Sequence, residues 1–307
     1  MPVKPIKHIL LIDGEGVLHT AFHKFSTLKS TDGKPSGAIF GFFRLLHKYF
    51  VRFYPTDVYI TFDNGHSKKR MELNPHYKEH RKNISIDYES LQQQKAVIIK
   101  MLGMLRIKYI YDKKKLNDYE GDDFLAYTLL KYLPKEKGIR IDGRKGYKFI
   151  IVTSDKDFNQ LLSGEQVKIY NQRKDEIVTV RNCQELFGYK SEETVDWLSM
   201  VGDQSDDIKG IPGIGPVRAR KILDEFGTLD KYLEHHHQTS HVEIAETNRK
   251  LIDLHWWVDN VPMKKFPLKE YKSKEMKLEK FKNLAIEYSL SSFLTNDFIQ
   301  PFKDLHL

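Results

Sequence analysis

The sequence predicts an α/β protein built on a doubly wound, mostly parallel sheet with helices on both faces. Short segments rich in β-branched and aromatic residues, "HILLID" (His8–Asp13), "DVYITFD" (Asp57–Asp63) and "FIIVTSD" (Phe149–Asp155), are continuously apolar, and each ends in aspartate. Continuous rather than alternating apolar character marks strands covered on both faces, as in parallel sheets. Helical periodicity separates these segments, and strands alternating with helices specify a doubly wound sheet. Ligands of such sheets bind beyond the carboxyl ends of the strands. Asp13, Asp63 and Asp155 fall there.

In chain order, "MPVKPIKHILLIDG" has too short an apolar run for a signal peptide and closes on aspartate, so it reads as a strand. "AIFGFFRLLHKYFVRF" (Ala38–Phe53) repeats apolar residues at helical spacing, and the second strand follows. From Asn64 to Leu116 the chain turns polar and basic. "HSKKRMELNPHYKEHRKN" sets Lys and Arg among aromatics and histidines, and "YDKKKLND" is a second basic loop. No parallel strand is evident between them, so residues 64–116 read as an excursion from the sheet. "EGDDFLAYTLLKYL" (Glu120–Leu133) is a helix that Pro134 ends. After the third strand, "VKIYNQRKDEIVTV" is a hairpin around Lys174-Asp175, and "VRNCQELFGYKSEETVDWLSMVG" is mostly helical. "PVRARKILDEFGTLDKYL" is a helix, a turn at Gly227 and a second helix. "HHHQTSH" (His235–His241) reads as a polar loop rather than a metal site. Met263–Lys282 holds eight lysines against three glutamates and reads as a solvated helical face, with contact to a nucleic-acid backbone as the second reading. This organisation divides the chain into an α/β domain over 1–190 and a helical region over 191–307.

Composition narrows the function classes. The chain has 307 residues, 40% of them hydrophobic, enough for a large packed core. Lys plus Arg exceed Asp plus Glu by 50 − 42 = 8, which leans toward a polyanionic partner. One cysteine, Cys183, excludes an internal disulfide framework and fits a reducing compartment, with Cys183 in plain packing. No apolar run approaches the roughly 18 residues of a membrane span, so the expected setting is cytoplasmic, with no membrane partner.

The acids carry the chemistry. In "EGDD", Glu120, Asp122 and Asp123 sit at a helix start; capping and the helix dipole account for one of them well and for all three poorly. In "SDKD", Asp155 and Asp157 are two apart beyond a strand and can face one ligand. In "GDQSDD", Asp203 and Asp206 are one helical turn apart, whereas Asp207 points elsewhere and reads as a cap. With Asp13 and Asp63, these carboxylates converge on one sheet edge. Like charges so placed destabilise the fold unless cations neutralise them. An all-oxygen set without a Cys or His group selects hard cations, Mg²⁺ or Mn²⁺. Two such ions are the device for phosphodiester hydrolysis, so a basic protein with this site reads as a nuclease.

At these residues the sequence resembles the 5′ nuclease family, which includes stand-alone phage and bacterial 5′-3′ exonucleases, flap endonucleases and the N-terminal domain of bacterial DNA polymerase I. "LIDGEGVLHTAFH", "FDNGHSKKRMELNPHYKEHR", "YEGDD", "VTSDKDFNQLL" and "MVGDQSDDIKGIPGIGPVRARKIL" resemble its motifs, in order, from Leu10 to about Phe226. The resemblance implies a structure-specific 5′ nuclease acting on DNA with a 5′ flap or single-stranded 5′ end and adjoining duplex, with RNA/DNA hybrid as a further substrate, working as a monomer. It implies that Asp13, Asp63, Glu120 and Asp122 serve mainly one metal ion. Asp123, Asp155, Asp157, Asp203 and Asp206 would serve mainly a second. It implies a helical arch at residues 64–116, with Arg70, Tyr77, Lys78 and Arg81 at its base and Lys78 and Arg81 stabilising charge on the scissile phosphate. It also implies that "GIPGIG" is a helix–hairpin–helix near residues 202–233 that grips duplex phosphates. There Gly213 and Gly215 let the backbone approach, Arg218, Arg220 and Lys221 follow, and hairpin carbonyls hold K⁺. Thr20, Asp207 and Val217 depart from the family's usual Arg, Asn and Lys. The rival readings are a PIN-type ribonuclease, opposed by the arch segment and hairpin, and a catalytically weak or inactive DNA-binding module, opposed by the full set of acids.

Overall fold

The structure, a computed structural model, describes residues 7–63, 65–79, 87–111, 118–137, 147–236, 239–260, 267–270 and 275–305. The strands are β1 (Lys7–Asp13), β2 (Asp57–Phe62), β3 (Lys108–Tyr111), β4 (Tyr147–Val152), β5 (Val167–Asn171), β6 (Glu176–Val178), β7 (Gly202–Asp203), β8 (Ile208–Lys209) and β9 (Leu268–Lys269). Seven of them form one sheet in the order β6-β5-β4-β1-β2-β3-β9, and β7 and β8 form a separate small hairpin. Pairings from β5 to β3 are parallel, and the outer pairs β5-β6 and β3-β9 are antiparallel. From β1 the chain winds one way through β2 and β3, then returns to β4 on the other side. The strand order therefore reverses between β1 and β4, and the crevice at such a switch point is where these sheets bind ligands.

The helices are α1 (Gly14–Lys24), α2 (Gly37–Phe53), α3 (Lys68–Leu73), α4 (Tyr88–Met104), α5 (Gly121–Tyr127), α6 (Leu133–Lys137), α7 (Cys183–Phe187), α8 (Thr194–Val201), α9 (Pro216–Phe226), α10 (Leu229–His236), α11 (Thr239–Ile252), α12 (Leu254–Asn260), α13 (Leu278–Glu287) and α14 (Asn296–Asp304). Alternation along β1 shows why both sheet faces need cover. Leu10 and Ile12 enter a core shared with α1, α2, α4, α13 and α14, while Ile9 and Leu11 enter one shared with α5 and α8–α12. Each fully buried apolar side chain contributes roughly 1.5–3 kcal/mol, so both cores hold the sheet between its helical layers. Cys183 is buried in the second core. Among the described residues no helix is long and apolar enough to cross a membrane.

Several expectations change. The excursion over 64–116 contains β3, which pairs parallel to β2, and α4, which packs on α2. It is therefore partly sheet framework, and among the described residues α3 and the turn after it leave the sheet. Pro134 does not end its helix. A π-helical turn (Thr128–Tyr132) precedes α6 and widens the ladder where proline lacks its donor. The lysine-rich segment contributes β9, and its residues 263–266 and 271–274 lie outside the described residues. Beyond it, α13 and α14 pack against α4 and α2 of the sheet domain rather than extending the helical region. The hairpin around Lys174-Asp175 forms as read, with Asp175 left-handed at φ 54°.

Candidate active site

The β1–α1 turn brings the first acid to the sheet edge. Asp13 caps α1, accepting from the Gly16 amide at 2.8 Å and from Thr153 Oγ1 at 3.1 Å. Gly14 is required beside it, because a Cβ there would meet Thr61 O at 2.5 Å. Asp63 follows β2, and its Oδ1 accepts the Gly121 amide at the start of α5. Glu120 caps α5, and its neighbour Asp122 lies on the first turn. Burial, then mutual repulsion, raises the carboxyls of Asp13, Asp63 and Asp122 above the usual range. Asp122 feels Asp13, Asp155 and Asp63 at once, so it links the acids beyond β1, β4 and β2.

A buried hub joins the segment after α3 to these acids. Lys78, 4% exposed, donates to Glu120 Oε2 at 2.7 Å and lies 3.4 Å from Asp206 Oδ2. The Tyr77 hydroxyl sits 3.0 Å from oxygens of both Glu120 and Asp206. The Lys78 amide donates to Asp206 O at 3.0 Å, which ties the segment after α3 to the turn after β7. Lys78 holds φ 55°, a left-handed conformation costing a non-glycine residue on the order of 1 kcal/mol, so the surrounding contacts impose it. Burial opposes ionisation of Glu120, but Lys78 and then Arg70 outweigh it and hold its carboxyl at about 2. The same burial pushes the Tyr77 phenol upward, with Glu120 adding to it.

The second group lies beyond β4. Asp155 starts a 3₁₀ turn and accepts the Asp157 amide at 2.9 Å. Asp155, Asp157 and Asp203 each present an oxygen within 4.8 Å of the others. Burial and then repulsion from Asp206 push the Asp155 carboxyl up to about 6, and burial with Asp155 raises Asp157 further. Asp157 Oδ1 and Asp203 Oδ2 are buried without any hydrogen-bond partner. Buried carboxylate oxygens without donors are costly unless a cation meets them, so this donor set fits a hard metal ion.

Some residues take other positions than expected. Asp123 does not turn to the second group. It forms a buried bidentate ion pair with Arg70, both contacts at 2.7 Å, and its Oδ2 also accepts the Glu120 amide. Arg70 is correspondingly not a surface DNA contact: it is 2% exposed, donates to Leu251 O and stacks over Trp257. Three acids at one helix start point three ways, and the one facing inward found a guanidinium. Tyr77 is buried among the acids rather than presented to DNA. Arg220 is held by Glu193 and Asp224. Arg81 lies outside the described residues. Glu15, Lys95 and Lys156 were not anticipated. Lys95 donates to Glu15 Oε2 and to Asp63 O, and Lys156 pairs with Asp203 at 3.0 Å. Burial pushes the Glu15 carboxyl up to about 7 against the pull of Lys95. The sequence signal for Glu15 was an acid two residues past Asp13, and for Lys156 its place between Asp155 and Asp157.

The hairpin after β8 is exposed. Gly213 is left-handed at φ 77°, and Gly215 precedes α9 with Pro216 at its first position and open space at its Cα. Arg218, Lys221 and Val217 are exposed there, with Arg218 reaching Gly213 O and the Tyr232 hydroxyl only at 3.4 Å. Asp207 adopts φ 55°, a conformation that aspartate, like asparagine, tolerates. Thr20 bonds back to Gly16 O within α1. His235 and His236 close α10 and pack on Phe226, and His237 lies outside the described residues.

The family model described as 5′-3′ exonuclease, N-terminal resolvase-like domain, matches residues 8–188, and one described as 5′-3′ exonuclease, C-terminal SAM fold, matches residues 189–280. The chain is 30% identical over 229 residues to a 5′-3′ exonuclease of Aquifex aeolicus, a match covering 75% of this chain and 73% of that one. It is 32% identical over 255 residues to DNA polymerase I of Rhizobium leguminosarum, covering 80% of this chain but 23% of that protein. Among solved structures, T5 5′-exonuclease with bound zinc aligns at a TM-score of 0.64 with 19% identity, over 92% of this chain and 100% of that one. The catalytic core of Rad2 in complex with DNA substrate aligns at 0.55 with 15% identity, over 97% of this chain and 92% of that one. At these identities the two structures speak to the fold.

Proposed function

The chain belongs to the 5′-3′ exonuclease family, and on that premise we propose that it is a divalent-metal-dependent 5′ nuclease hydrolysing DNA at 5′ ends and flaps. Removal of RNA from RNA/DNA hybrids is a further activity of the same site. The observation that carries the reading is the meeting of Asp155, Asp157 and Asp203 oxygens within 4.8 Å, two of those residues keeping a buried oxygen without a donor.

Asp13, Asp63, Glu120 and Asp122 would hold one Mg²⁺ or Mn²⁺ ion, and Asp155, Asp157, Asp203 and Asp206 the other. Such ions, when bound, supply a water of lowered pKa as nucleophile and neutralise the departing oxygen. The chain's own groups do the rest. The Tyr77 hydroxyl orients Glu120 and Asp206, each 3.0 Å away. Lys78 brings a positive charge within 2.7 Å of Glu120, placed to meet a phosphate drawn to the same acids. Arg81 shares that role. Around Gly213 and Gly215 the backbone is open enough for a duplex phosphate to approach, with Arg218 and Lys221 beside it and K⁺ accepted by hairpin carbonyls. A monomer is the working unit of this reading.

The test is a 5′-labelled flap duplex incubated with the protein in Mg²⁺, in Mn²⁺ and in EDTA, beside an RNA-primed duplex. Short labelled products should form only with a divalent ion. A protein that binds the flap yet leaves it whole in both metals is a binding module instead.

A further inference from the structure

We propose that Glu15 and Lys95 are positioning residues that clamp Asp63 for cation binding, an inference that rests on reading Asp63 as a metal-holding carboxylate. Lys95 lies midway along α4 and is 3% exposed. Its ammonium donates to Glu15 Oε2 at 2.7 Å and to the Asp63 carbonyl at 2.6 Å, while Glu15 Oε2 lies 3.3 Å from the Asp63 amide. One ion pair therefore grips Asp63 by both its N–H and its C=O. Gly121 holds Oδ1 of the same residue from the start of α5. Asp63 is thus fixed from α1, α4 and α5 together, at the point where the chain leaves β2 for the arch segment.

The surroundings argue against simple packing. The Lys95 ammonium sits among the Phe62 and Tyr111 rings, at 5.6 and 5.2 Å, and the far oxygen of Glu15 faces His19 Nε2 at 3.7 Å. Burying an ammonium and a carboxylate in such a place carries a desolvation cost that their attraction must first repay, and an apolar residue would serve the core as well. What the pair adds is geometry, applied to the backbone of a site carboxylate. Outer partners of metal-holding residues commonly change metal affinity by about 10–100-fold.

The experiment is an electron paramagnetic resonance titration of Mn²⁺ into the DNA-free protein. It compares wild type with Lys95→Met, Glu15→Gln, the double variant and Asp63→Asn, each checked for its melting temperature. Lys95→Met and Glu15→Gln should each weaken Mn²⁺ binding about tenfold, and the double variant should be no weaker than the worse single, because the pair acts as one unit. The half-saturating Mg²⁺ for flap cleavage should rise by the same factor, with a smaller fall in rate at saturation. If Lys95→Met does not fold, the near-isosteric Glu15→Gln decides the matter by itself. Unchanged Mn²⁺ affinity in the folded clamp variants, with Asp63→Asn weakened, overturns the clamp and leaves the metal reading standing. Unchanged affinity in Asp63→Asn removes the metal reading beneath it. A loss in Glu15→Gln equal to that in Asp63→Asn, and far above that in Lys95→Met, would make Glu15 a direct ligand and also overturn the clamp.

Discussion

Replacing Asp155 with asparagine separates what the site costs the fold from what it binds. The Asp155 carboxyl is pushed up from its ordinary 3.8 to about 6, by burial first and then by Asp206 and Asp203. A folded pKa above the unfolded one means that the folded chain holds the proton more tightly. The group therefore destabilises the ion-free protein progressively as pH rises from about 4 through about 6, and its full cost is present at neutral pH. The rise from 3.8 to about 6 corresponds to about 3 kcal/mol. Asparagine keeps the volume and an oxygen for the Asp157 amide 2.9 Å away, without the charge. In EDTA at pH 7.5, Asp155→Asn should melt on the order of 5 °C above wild type, and the gap should vanish near pH 4. In excess Mg²⁺ the gap should close, because wild type gains about 2.7 kcal/mol at a hundredfold excess over its dissociation constant and the variant gains less. Scanning calorimetry across pH and Mg²⁺ measures all of this. A variant no more stable than wild type in EDTA, or one stabilised equally by Mg²⁺, would refute the account of these carboxylates as a strained cation site.

Asp157→Asn should lower flap cleavage in Mg²⁺ at least ~10²-fold and leave duplex affinity unchanged; near-normal turnover would remove Asp157 from the site. Lys78→Met should slow single-turnover cleavage ~10²-fold with flap affinity held within a few-fold, whereas equal losses in both would make Lys78 a plain backbone contact. Arg218→Ala with Lys221→Ala should flatten the log–log salt dependence of flap binding by about one to two units. Arg220→Ala, already committed to Glu193, should leave that slope alone and lower the melting temperature. Arg70→Met should destabilise the protein by about 3–5 kcal/mol by stranding the Asp123 carboxylate, again with no change in salt slope, as chemical denaturation and filter binding can show.

The central sheet was legible because β1, β2 and β4 each hold an apolar run that leads into an aspartate at or just beyond the strand end. β3 escaped because "KYIY" is short and begins with a lysine inside a basic stretch, so no run of apolar residues announced it. The acids were legible as clusters, since charge density is a local property. What each acid does is set at long range. The partner of Asp123 is Arg70, 53 positions away, and the partner of Glu15 is Lys95, 80 positions away. "EGDD" gives the composition of a helix start but not its rotation. Because α5 begins at Gly121, Asp123 lands at the capping-box position and turns back to the Glu120 amide, while Asp122 faces the other acids. The basic residues were misread for a related reason. Sequence shows a positive charge, and only the fold shows whether an acid has already taken it, as Glu193 has taken Arg220 and Asp123 has taken Arg70.

The two-residue strand β9 has a consequence out of proportion to its length. It comes from polypeptide after α12 and lies antiparallel along β3, pairing Tyr109 with Lys269 and Ile110 with Leu268. At the opposite margin β6 does the same for β5. Each outermost parallel strand is thus hemmed by a brief reversed one, which leaves little free ladder for another chain to extend. Shortened chains lacking residues 268–269 would keep every carboxylate of the site and yet bare the amides and carbonyls of β3 along an apolar margin. Their first symptom would be self-association, not lost chemistry.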